Sequence, residues 1–225
     1  AFIGGLMSDQ GATGGDIYPA LEKGGALVNL TPDIHVTPSW LDWTGPQSML
    51  VGQISNGQSQ LADYAVSATR AKQQRVHFTV AASIGDGSAA MAMATSRDHR
   101  RIAYVQSSYT AAAEVHAGTL GNAAPAAVTS INTGLKPAWG KAESVEWDNQ
   151  GFHVQGWLLY PAHYDAKKTH PMIVVVHGGP SSAVIPRWPG LGYGASPFSA
   201  LGYFVFMPNP RGSFGQGEKY VQANR

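Results

Sequence analysis

Apolar and polar residues alternate with a period of two along most of residues 1–135, in short runs separated by Gly, Asn, Asp and Ser turns. This pattern predicts strands rather than helices. A weak repeat runs through them. Gly15-Asp-Ile-Tyr18 passes through a Gly-Gly turn to Leu27-Val-Asn-Leu-Thr31. Asp63-Tyr-Ala-Val66 leads on to Val76-His-Phe-Thr79, and Glu114-Val-His116 passes through a Gly-Asn turn to Ala127-Val-Thr129. Between these units lie further strand pairs, 39–43 with 48–53 and 90–95 with 101–105, the second joined by a polar turn at 96–100.

The units recur about every 48 residues, within the range of propeller blades. Four short strands of alternating polarity per unit is what a blade requires. Residues 1–135 therefore read as part of a β-propeller, about two to three blades. A β-sandwich, also built of short and evenly spaced strands, is the alternative. So few blades cannot close a ring, and Ala1-Phe-Ile-Gly-Gly has neither an initiator Met nor a basic leader. Further residues upstream are the expectation.

The pattern changes after Leu135-Lys-Pro-Ala138. Segments 143–147 and 151–160 read as a hairpin across Asp148-Asn-Gln-Gly151. Residues 172–176 (MIVVV) have the uniform β-branched composition of a strand buried on both faces. Ser196-Pro-Phe-Ser-Ala-Leu-Gly202 carries a cap, a first-turn proline and a terminating glycine, the marks of a short helix. A second apolar strand follows at 203–207. Strand, helix, strand predicts a parallel pair, and with the hairpin it makes residues 136–225 the opening of an α/β domain whose sheet is half built at Arg225.

Composition narrows the function classes. A formal charge of +1 gives no field for steering nucleic acid or anionic lipid. With no cysteine, disulfides, thiolate metal sites and a Cys nucleophile are excluded. His35, His77, His99, His116, His153, His163 and His170 fall in no metal-ligand spacing, so no metal and no cofactor are expected. No apolar run approaches the roughly 18 residues of a membrane span. Cytoplasm and periplasm both fit.

Candidate chemistry lies at the two strand ends of the α/β segment. The run 172–176 breaks directly into His177-Gly-Gly-Pro180, and the next strand ends in Asn209-Pro-Arg-Gly-Ser-Phe-Gly-Gln-Gly217. Open α/β sheets bind ligands at this carboxyl edge. The glycines at 212, 215 and 217 lack the order and the Lys-Ser/Thr of a phosphate loop, and Gly190-Leu-Gly-Tyr-Gly194 is no better.

An HGGP turn followed about 30 residues later by N-x-R-G-S-x-G-x-G resembles the prolyl oligopeptidase family of serine peptidases, in its acylaminoacyl peptidase and bacterial dipeptidyl peptidase branch. The ESVEW and GWLLYP segments between Glu143 and Pro161 resemble the start of that family's peptidase domain. The resemblance implies a β-propeller ahead of an α/β-hydrolase domain, hydrolysis of short peptides, and a Ser-His-Asp triad with its serine in a G-x-S-x-G elbow. Gly57-Gln-Ser59-Gln-Leu61 and Gly194-Ala-Ser196-Pro-Phe198 each lack the second glycine, so all three triad residues are expected beyond Arg225. The chain alone is expected to be inactive.

The resemblance makes the backbone N–H of Gly179 the oxyanion-hole donor and places His177 and Gly178 on the substrate side. His177 reads as an orienting or pocket-lining group, either a structural histidine or a substrate contact, and not as the catalytic base. Arg211 is either a guanidinium that pins its loop or a substrate contact. The implied partner is a peptide, with a homo-oligomer of the full-length protein left open. The rival readings are a non-catalytic propeller-type binding module and an esterase of the same hydrolase fold.

Overall fold

Asn56-Gly57 is the two-residue turn that favours a tight hairpin, and both residues take the positive φ it needs (45° and 69°). In the computed structural model, which describes residues 1–6, 14–20, 23–85, 89–179, 181–190 and 194–224, this turn joins the two middle strands of the longest sheet. The strands preceding that sheet are β1 (Phe2–Gly4) and β2 (Asp16–Tyr18), an antiparallel pair. The sheet itself is β3 (Thr37–Gly45), β4 (Ser48–Ser55), β5 (Gln58–Val66) and β6 (Ala71–Val80), an antiparallel meander in that order. A third sheet contains β7 (Ser83–Ile84), β8 (Met93–Thr95), β9 (Arg101–Ser107) and β10 (Glu114–Thr119), with β9 pairing all three others.

The blade-like unit is thus realised fully once, in β3–β6. Among the described residues no ring of blades closes. Two expected strands are absent. Residues 27–31 form no strand: Leu30 donates its N–H to Ile17 O (2.8 Å) and accepts the Ala71 N–H (2.6 Å), but Asn29 beside it donates to Asp16 (2.7 Å) and accepts the Thr31 N–H (2.9 Å), a local turn that stops the pairing from extending. Residues 127–129 make one isolated bridge, Ala127 to His116. The core of this half is Leu50, Leu61, Phe78, Ile84 and Ile102 between the two larger sheets, with Met49, Val51 and Tyr64 on the opposite face of β4 and β5.

The last sheet is built from β11 (Ala142–Asn149), β12 (Phe152–Leu159), β13 (Met172–Val174) and β14 (Phe204–Asn209), in the order β11-β12-β14-β13. The expected hairpin turns at Gln150 (φ 51°) and Gly151 (φ 80°). β13 and β14 run parallel, with Met172 opposite Phe204 and Val174 opposite Phe206, and the Val175 N–H extends the ladder to Phe206 O at 2.8 Å. Between them lies α1 (Ser196–Ala200); α2 (Glu218–Val221) follows β14 and continues as a 3-10 turn at 222–224.

Two expectations for this sheet need correction. Ser196 does not cap α1: it is the first helical residue, and the capping position is Ala195, which offers no side-chain acceptor. The run 172–176 is not buried on both faces. It is the sheet's edge, with Met172, Val174 and Val176 exposed to 53%, 56% and 61%. The composition is that of an interior parallel strand, but no described layer covers it.

Candidate functional site: the HGG turn and the glycine loop

The HGG turn leaves the end of β13 at the carboxyl edge of the parallel pair. Gly179 sits there at φ 139°, a conformation side chains rarely adopt. A Cβ at this position would lie 2.7 Å from the Ser181 nitrogen. Glycine is therefore demanded by the turn's own backbone. Among the described residues no acceptor takes the Gly179 N–H. Pro180, the last residue of the motif, lies outside the described residues, as do residues 191–193 of the 190–194 glycine stretch.

His177 is half-buried and lines a cavity of about 390 Å³. The cavity is walled by residues from both halves of the chain, among them Tyr109, Val184, Arg187 and Met207. Burial pushes the Tyr109 phenol well above its ordinary range, and the hydroxyl faces Met207 Sδ at 3.7 Å, so Tyr109 stays neutral and apolar in character. Gly178 is exposed, and its carbonyl accepts from His177 Nδ1 at 3.0 Å.

Arg211 is not among the residues that wall the cavity. Its guanidinium stands over the Phe152 ring, 5.9 Å from the centroid, a cation–π contact rather than the expected pin to carbonyls or a carboxylate. The nearby Tyr220 phenol is raised to about 12 by burial, and its hydroxyl donates to Asn209 O at 2.8 Å.

Two residues of the 209–217 loop do more than sequence reasoning assigned. Asn209 is 3% exposed and uses its whole amide: Oδ1 accepts the Val184 N–H (2.7 Å), and Nδ2 donates to Gln155 (2.8 Å) and to Val184 O (3.1 Å). It fastens the segment after the HGG turn to the centre of the sheet. Ser213 is 1% exposed, and its Oγ lies 2.8 Å from His177 Nε2. A serine and a histidine in contact invite a nucleophile reading. Burial argues against it, since Ser213 does not line the cavity. The only hint in the sequence was the polar serine following Arg-Gly in a loop that faces the HGG turn.

The loop's glycines are explained by close packing: Gly212 faces Asn224, Gly215 faces the Asn56-Gly57 turn and Ile54, and Gly217 faces the segment before β3. Gly217 (φ 84°) packs so tightly that a Cβ would fall 1.8 Å from Ile34 O. No group of three or more His, Cys, Asp or Glu able to hold a metal occurs among the described residues.

No family model matches the chain. It is 36% identical over 77 residues to a probable dipeptidyl-peptidase 5 of Aspergillus terreus, a match covering 34% of this chain and 10% of that protein. It is 38% identical over 81 residues to an uncharacterized peptidase, YuxL, of Bacillus subtilis, covering 33% of this chain and 11% of that one. Among solved structures it superposes on the acylaminoacyl peptidase of Pyrococcus horikoshii with a TM-score of 0.62 at 19% identity, over 94% of this chain and 30% of that chain. An acylaminoacyl peptidase in complex with Z-Gly-Gly-Phe-chloromethyl ketone gives 0.61 at 19% identity, over 88% and 29%. The matches thus span about a tenth of the curated relatives and under a third of the solved chains. Together with the HGGP turn and the glycine loop, these matches support a peptidase of the prolyl oligopeptidase family.

Proposed function

We propose that this chain is a segment of a serine peptidase that hydrolyses short peptides, and that it supplies one half of the oxyanion hole. In this reading residues 1–135 are blades of a β-propeller and residues 136–225 open an α/β-hydrolase domain. The observation that carries the reading is the Gly179 N–H, unclaimed among the described residues, at the carboxyl end of a parallel strand beside a walled cavity.

The chemistry follows from that placement. A serine attacks the scissile carbonyl, and the carbonyl oxygen gains negative charge. A fixed N–H stabilises that charge without reorganising, and loss of one such donor typically costs about 10²–10³ in kcat. The second donor, the serine and its His-Asp partners come from residues outside these 225. His177 and Gly178 border the peptide at the reacting end. Arg211, held over the Phe152 ring, packs the base of the loop in this reading.

The test compares the 225-residue chain with the product of the full-length gene on chromogenic dipeptidyl and aminoacyl amides. The chain is expected to be inert. The longer product is expected to turn over, and a phosphonate is expected to label a serine outside residues 1–225. Phosphonate-sensitive turnover by the chain alone overturns the reading, because the nucleophile is then among its own serines. A longer product that binds peptides without cleaving them points instead to a non-catalytic binding module.

A further inference from the structure

Two successive residues of the 209–217 loop grip the two ends of the HGG turn. At one end the Ser213 hydroxyl meets His177 Nε2 (2.8 Å). At the other the Phe214 N–H donates to Ser182 O (2.7 Å). Gly178, Gly179 and Ser181 lie between these grips. The next residue carries the connection into the blade sheet. The Gly215 N–H donates to Thr37 Oγ1 (2.8 Å), and its carbonyl accepts the Asn56 N–H (3.1 Å).

The direction of the Ser213–His177 bond follows from the other ring nitrogen. His177 Nδ1 lies 3.0 Å from Gly178 O, which can only accept. A neutral imidazole has one N–H, so the proton sits on Nδ1 and Nε2 carries a lone pair. Ser213 must then donate. Ser213 is buried, and its own N–H is committed to Pro210 O (2.9 Å), so the side chain has a fixed base.

We propose that Ser213 is a positioning residue of the oxyanion turn: its hydroxyl holds His177 as the Nδ1–H tautomer and, with the Phe214 N–H on Ser182 O, fixes the chain at His177 and at Ser182 so that the Gly179 amide keeps its orientation. This rests on the reading of Gly179 as an oxyanion donor. It adds that the donor's aim is set from the loop that also docks on the blade sheet.

The test is a long-range ¹H–¹⁵N correlation of the His177 ring in the 225-residue chain, recorded above neutral pH. The wild type is expected to show a protonated Nδ1 and an unprotonated, hydrogen-bonded Nε2. Ser213→Ala is expected to lose that signature, move the ring toward the Nε2–H form, and shift the Gly178 and Gly179 amide resonances. Ser213→Thr, which keeps the hydroxyl, is expected to restore all three. A wild-type ring protonated on Nε2, or a folded S213A variant with unchanged His177 and Gly179 signals, overturns the proposal. If S213A does not fold, the wild-type and S213T tautomers decide. None of these readouts is hydrolysis, so a clamp that fails and a peptidase assignment that fails give separate results.

Discussion

At the scale of single residues, Gly179 shows how a catalytic expectation and a backbone requirement converge on one residue. The resemblance makes its N–H the oxyanion donor. The geometry supplies the reason for glycine, a positive φ and a Ser181 nitrogen 2.7 Å from where a Cβ would stand. Gly179→Ala is therefore expected to reorganise the turn, at a strain of about 1–3 kcal/mol. In the full-length product it should lower kcat by about 10²–10³ while KM changes little. Steady-state kinetics with a melting curve checks both. The HGGP and N-x-R-G-S motifs were legible because they are contiguous. The Ser213–His177 contact was not, since its partners stand 36 residues apart and only the parallel pairing of β13 and β14 brings their loops together.

Among the elements, β13 is where composition and environment disagree most. Its β-branched run correctly predicted a strand and a parallel partner. Burial depends on what lies on the other edge and faces, which a local pattern does not contain. An exposed apolar edge is a template for association. The isolated chain is expected to self-associate with rising concentration, and the double variant Val174→Lys, Val176→Lys to remain monomeric, as read by sedimentation velocity.

The segment after β10 depends on one carboxylate. Glu114, 8% exposed, accepts the Thr129 hydroxyl and the N–H groups of Ile131 (3.1 Å) and Asn132 (2.5 Å). These bonds, led by Thr129, hold its pKa below the ordinary 4.5. A depressed folded pKa stabilises above the unfolded value and loses that stabilisation as pH falls through the folded one. Hydrogen exchange at Ile131 and Asn132 should quicken as pH drops below 4.5, beyond the intrinsic pH trend of neighbouring amides. Glu114→Gln should show little such dependence.

On the scale of the whole molecule, the two halves are joined through a shared core. Ile54 of β4 and Ala89 pack with Ile185, Phe214 and Val221, and Trp157 of β12 donates its indole N–H to Gly57 O (3.2 Å). The Asn-Gly hairpin of the β3–β6 sheet thus sits on the glycine loop of the α/β sheet. Phe214→Ala removes a side chain that is 2% exposed at this joint. It should cost about 3–5 kcal/mol and destabilise both halves together, seen as one lowered transition by calorimetry. The order of the parts, β-rich then α/β, was legible from the change of period near residue 138. The joint was not, because it depends on which turn meets which loop.

The most direct measurement follows the Gly179 amide itself. The full-length product, labelled with ¹⁵N at glycine, is treated with a peptide aldehyde, which would form a hemiacetal on the proposed nucleophilic serine. A strong downfield movement of the Gly179 amide proton as the adduct forms is the expected result, since that N–H then donates to the new oxyanion. A covalent adduct that leaves the Gly179 resonance where it was would show that the charge is stabilised elsewhere.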